Sequence, residues 1–165
     1  MLTFQQRHFL KANILRLIDI DPDGVDFETL TQGQADEFVT KAYGFPLATA
    51  ETPNQPPMVD VDNQRVLAGI EVTELLVHEV AFKERAQWAK LSGDQGLAEL
   101  NYKQANNYNA QRGIIDNFSK KIGVRPIDVL DLYTSMMQAL REGHFHWKEI
   151  GAQRYLESKG LWGRE

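Results

Sequence analysis

Residues 63–123 read NQRVLAGIEVTELLVHEVAFKERAQWAKLSGDQGLAELNYKQANNYNAQRGIIDNFSKKIG, and the patterning of this stretch decides the fold. From Asn63 to Leu91, Val66, Ile70, Val77, Val80, Ala81, Trp88 and Leu91 recur on one helical face. Leu67, Val72, Leu75, Leu76 and Phe82 form a second. A helix apolar on two sides is covered on two sides, so this one reads as the centre of a bundle. Ser92-Gly93-Asp94 is a helix–helix turn with Asp94 as N-cap, and the second helix runs on to Gly123, placed as a C′ glycine. Two long helices joined by so short a turn make an antiparallel hairpin.

The second arm of the hairpin is less simple. Leu97, Asn101, Gln104, Tyr108, Gln111, Ile115, Phe118 and Ile122 follow alternating steps of four and three, a heptad seam that is amide-rich in its first half and apolar in its second. A plain hairpin core needs only apolar residues there. The polar half is therefore either solvated or hydrogen-bonded to something specific; Asn101, Gln104 and Gln111 are expected to meet polar partners from another helix or another subunit, and Tyr108 to lie in the same interface. Gly113 costs about 1 kcal/mol relative to Ala in mid-helix and predicts close approach by a neighbouring element.

Upstream, two T-x-x-Q capping boxes, Thr3 to Gln6 and Thr31 to Gln34, open two helices. Leu10, Ile14, Leu17 and Ile18 mark the first, which stops at Pro22 and Gly24. Ala35, Phe38, Val39 and Ala42 mark the second, which closes at Gly44. Pro46, Pro53, Pro56 and Pro57 leave residues 45–60 without the amides or dihedral range for a helix, so this segment reads as an extended linker. Downstream, Pro126 opens a helix carrying Val129, Leu132, Tyr133, Met136, Met137 and Leu140. Gly143 interrupts it, and a last helix with Ile150, Tyr155 and Leu156 ends at Gly160, before a tail bearing Trp162. The reading is all-α: an N-terminal helical pair at 1–44, a proline-rich arm at 45–60, and a bundle with C-terminal tail at 61–165.

Composition excludes whole chemistries. Hydrophobic residues at 42% and charged residues at 25% of 165 describe a folded chain. With no cysteine there is no disulfide framework, thiolate metal site or cysteine nucleophile. Lys plus Arg total 18 against 23 Asp plus Glu, and this net charge of −5 argues against phosphate neutralisation as the main task. Lys120 and Lys121, which could touch phosphate with Arg112 and Arg125, have a local reason to sit at a helix C-terminus, where they offset the dipole. Sequence-specific nucleic-acid reading is not expected. Neither a long apolar run nor a signal-peptide pattern occurs, so no membrane partner is expected and the location is read as cytoplasmic.

Two metal arrangements come close and fail. Asp19, Asp21 and Asp23 with Gly24 resemble the first half of an EF-hand calcium loop. The spacing after Gly24 is one residue short, and Leu30 stands where a bidentate Glu belongs. The plainer reading is an acidic turn. Glu71, Glu74 and His78 share a helical face, and Glu142, His144, His146 and Glu149 lie elsewhere, but none forms the Glu-x-x-His of a carboxylate-bridged site. No Gly-x-Ser-x-Gly elbow surrounds Ser92, Ser119, Ser135 or Ser158, and no glycine-rich phosphate loop is present. No catalysis and no cofactor are expected.

Assembly remains. The long hairpin, the proline-rich arm, the polar half-seam and Trp162 as a terminal anchor describe a non-catalytic structural subunit that contacts its own copies and other assembly proteins. Architecture of this kind suits a head–tail connector of a virus particle, moving from host cytoplasm to virion. The rival reading is a helical metal-binding protein, through the Asp19–Asp23 loop or through Glu71, Glu74 and His78.

Overall fold

The structure, a computed structural model, describes residues 1–43, 63–121 and 129–160, which are helical with no strand among them. The chain is all-α. Its spine is α3, Asn63–Leu91, packed antiparallel along α4, Gln95–Lys121. Between them Gly93 takes φ +86°, the Asp94 amide donates to the Ala89 carbonyl at 2.9 Å, and Asp94 Oδ1 accepts from the Leu97 amide at 3.0 Å. One turn thus ends one helix and caps the next.

A second hairpin, α5 (Val129–Arg141) and α6 (Trp147–Ser158), lies with α5 against α3. It turns through Gly143 at φ +88°. Here the helices touch backbone to side chain: a Cβ on Gly151 would sit 2.5 Å from the Met136 Cα, and the Ser135 hydroxyl donates to the Gly151 carbonyl at 2.7 Å. Gly113, by contrast, has nothing within 4 Å of its missing Cβ. The close approach expected at Gly113 occurs at Gly151, because α4 presents position 113 to solvent.

At the N-terminus both halves of the Thr3–Gln6 capping box form, opening α1, Phe4–Phe9. A π-helical turn, Leu10–Ile14, and a 3-10 turn, Leu15–Ile18, continue it. The effect is visible in the burial. Gln6, Phe9, Leu10, Ile14, Leu15 and Ile18 are buried, and the π turn, which inserts one residue into the register, shifts which later positions face inward. Leu17, read from spacing as a core position, is therefore only partly buried. Asp19 ends the segment in the left-handed region at φ 54°, with the Ile20 amide returning to the Leu15 carbonyl at 2.9 Å.

The second capping box, Thr31 with Gln34, also forms, ahead of α2, Gln32–Tyr43. One buried apolar cluster runs from Leu2 through Tyr43, Val77, Trp88 and Leu132 to Leu156, so residues 1–43 share a core with α3, α5 and α6. No residue of α4 belongs to it. The proline-rich segment 45–60, residues 122–128 with Gly123 and Pro126, and the tail with Trp162 lie outside the described residues.

Candidate functional site: the two faces of α4

Helix α4 carries two stripes. Ala98, Asn101, Ala105, Tyr108, Arg112 and Ile115 are buried or half-buried, and they step by three and four along the side that meets α3. One step around the cylinder, Leu97, Leu100, Gln104, Asn107, Gln111, Ile114 and Phe118 make a second heptad run, exposed except for the half-buried Gln104. Ile114 is 69% exposed, Phe118 61% and Leu100 56%. The seam read from sequence is thus divided. Asn101 and Tyr108 go to α3, Gln104 and Gln111 to the outer stripe, and Trp162 is outside the described residues. Asn101 takes its partner within its own helix, donating from Nδ2 to the Leu97 carbonyl at 2.9 Å.

Two polar and aromatic contacts bind the inner stripe to α3. Glu79, almost fully buried, pairs with Arg112 and with Lys83 at 2.9 Å, and accepts from Asn109 Nδ2 at 3.3 Å. Burial pulls its carboxyl up, but the hydrogen bonds from Lys83, Arg112 and Asn109 and the Arg112 charge outweigh it, leaving Glu79 below the ordinary carboxylate value. Beside it Tyr108 stacks on His78 at 4.8 Å and on Phe82 at 5.6 Å, and Trp147 meets the His78 ring edge-on at 5.5 Å. Sequence reasoning missed this clamp. The Glu79–Lys83 step of four was legible, but Arg112 and Asn109 enter only once the register of the hairpin is known.

At the turn end of the hairpin, Gln6 serves twice. Its Oε1 caps Thr3, while Nε2 donates to Gln32 Oε1 at 2.9 Å and to Ser92 Oγ at 3.3 Å. Gln32 reaches Ser92 and Asp36 at 2.9 Å, and Asp36 Oδ1 accepts from the Trp88 indole at 2.7 Å. This network ties α1 and α2 to the α3–α4 turn. Deeper in, Glu84 has a buried Oε2 without a hydrogen bond, and burial, opposed by the Arg16 charge, raises its carboxyl. Burial, then the Glu84 charge, likewise pushes the phenols of Tyr43 and Tyr133 up.

The acidic residues weighed as metal ligands have other occupations. Asp19 is exposed and 3.8 Å from Arg141; Asp21 Oδ1 accepts from the Asp23 amide at 3.0 Å, an N-cap for the short turn that follows. Glu71 is exposed. Glu74 pairs with the buried Lys148 and stands 3.9 Å from His78 Nε2. Glu142 holds Arg154 at 2.7 Å and lies 3.8 Å from His144, while His146 sits at the α6 N-cap position. Glu149, on the first turn of α6, has its carboxyl raised by burial. Among the described residues no three His, Asp or Glu side chains converge on a point that would hold a metal ion. No helix among them is long and apolar enough to cross a membrane. Comparison with protein-family models, with curated proteins and with solved structures finds no match.

Proposed function

We propose that this chain is a non-catalytic structural subunit of a larger protein assembly, which it joins through the outer face of α4. One observation carries the reading: a 27-residue helix contributes nothing to the main apolar cluster, yet holds Leu97, Leu100, Ile114 and Phe118 out to solvent. Packing of its inner stripe on α3 sustains this helix, but that packing gives no reason for apolar residues on its free side; contact with another protein surface does. The internal arrangement supports a rigid platform behind that face. Glu79 and Tyr108 fasten α4 to α3, and the Gln6–Gln32–Ser92 network fastens the turn to the N-terminal helices.

A virus head–tail connector is the finer form of this proposal, by analogy of architecture alone. Native mass spectrometry across a concentration series tests both levels. A defined multiple of the 18.8 kDa chain is expected, and a ring stoichiometry supports the connector form. A monomer at every concentration overturns the assembly reading.

A further inference from the structure

The outer stripe of α4 has an internal symmetry that says what covers it. It runs about 32 Å from Leu97 to Phe118 at the helical rise. Leu97 and Phe118, Leu100 and Ile114, and Gln104 and Gln111 are placed about evenly on either side of Asn107. The stripe therefore reads apolar, amide, apolar from either end. We propose that it is a two-fold, antiparallel interface between two copies of this chain, centred on Asn107. The proposal rests on the assembly reading and deepens it by naming the partner.

Three properties favour a second copy over another occupant. In a two-fold contact each residue meets its counterpart across the axis, and this stripe is self-complementary under that operation. Leu and Ile or Phe meet at the two ends, and amides meet in the middle. An amide group carries both donors and acceptors, so Asn107 pairs with its own copy and Gln104 with Gln111. A wholly apolar partner would leave all three amides buried without hydrogen-bond partners. A register slip has the same defect, which is how a central amide fixes register in paired helices.

Charge selects the direction. Asp94 caps the start of α4 and Glu99 is its fifth residue, while Lys120, 3.4 Å from Asp116, and Lys121 lie in its last turn. Antiparallel pairing sets the acidic end of one copy beside the basic end of the other and opposes the helix dipoles. A parallel pair would set Lys120 and Lys121 against themselves.

The absence of cysteine makes a direct test available. Asn107→Cys, Leu97→Cys and Phe118→Cys are made singly in the full chain and oxidised mildly, each variant first checked for unchanged helical circular dichroism. Asn107→Cys is expected to link to its own copy as a dimer. Leu97→Cys and Phe118→Cys alone are expected to stay unlinked, and a mixture of the two to give the cross-linked pair. Adding Ile114→Lys to Asn107→Cys should reduce linking at least tenfold. Equal self-linking at all three positions means a parallel pair and overturns the proposal. So does absence of linking at Asn107; if native mass still gives an assembly, the subunit reading survives and another partner or surface covers α4.

Discussion

Two glycines in this chain respond in opposite ways to the same substitution. Gly151 sits where a Cβ would press on the Met136 backbone, so Gly151→Ala forces α5 and α6 apart. Overpacking against backbone has no cheap relaxation, and we expect a loss of about 3 kcal/mol, or a Tm lower by roughly 6–12 °C. Gly113 faces open space in mid-helix, and Gly113→Ala should stabilise by about 1 kcal/mol. Thermal melts of the two variants check both; a stable Gly151→Ala would mean that the α5–α6 contact is looser than described. Asp19 belongs to the same scale. It holds a left-handed conformation that costs an L residue about 1–2 kcal/mol, while among the described residues its side chain makes one distant, exposed ion pair. Asp19→Gly should therefore raise stability by about 1 kcal/mol, and a fall would show that the carboxylate has a task beyond ending the helix. In the sequence Gly113 was conspicuous and Gly151 was not. Both are helical glycines, and only the neighbour across the interface tells them apart.

Among the elements, charge helps to join α3 to α4 at Glu79. The carboxylate of Glu79 is held below its ordinary value, so the folded state binds the proton less readily than the unfolded chain does. Its contribution is then present above the unfolded value near 4.5 and is lost as pH falls through the lower folded value. Glu79→Gln should destabilise by about 1–3 kcal/mol at pH 7, since hydrogen bonds to a charged group are replaced by weaker ones. The gap between wild type and variant should narrow as the pH falls below the unfolded value near 4.5 and on through the lower folded one. Urea titrations at a series of pH values measure it, and a constant gap would mean that shape, and not charge, joins the helices. On α3 the first apolar face was readable: Val66, Ile70, Val77, Ala81, Trp88 and Leu91 join the main cluster, and from the second face Phe82 meets Tyr108 of α4. On α4 the patterning was misleading: Leu97 to Phe118 at steps of four and three is as good a heptad as Ala98 to Ile115. Small Ala98 and Ala105 lose to leucines in any count of hydrophobicity, yet small residues are what let two helices approach.

Over the whole molecule, the helices of residues 1–43 share one apolar cluster with α3, α5 and α6. Phe9 packs on Trp88 at 5.9 Å, and the Trp88 indole is bonded to Asp36. Unfolding followed by Trp fluorescence and by far-ultraviolet circular dichroism should therefore give coincident transitions, as one cooperative unit requires. Separated midpoints would show that the N-terminal helices melt on their own. The self-association proposed for α4 predicts in addition that Tm rises with protein concentration; a Tm independent of concentration would count against it.

What the amino-acid sequence determined by itself acts over one or two helical turns: the all-α class, both capping boxes and the turn at Gly93. These follow from backbone hydrogen bonding and from periodicity, which are local. The tertiary structure alone decided the register of the π turn at Leu10–Ile14, the burial of Glu79 against Arg112, the contact at Gly151, and which heptad of α4 faces inward. Each of these depends on residues distant in the chain arriving at the same place. Packing between helices is settled by fit across the interface, and one helix carries only half of that fit.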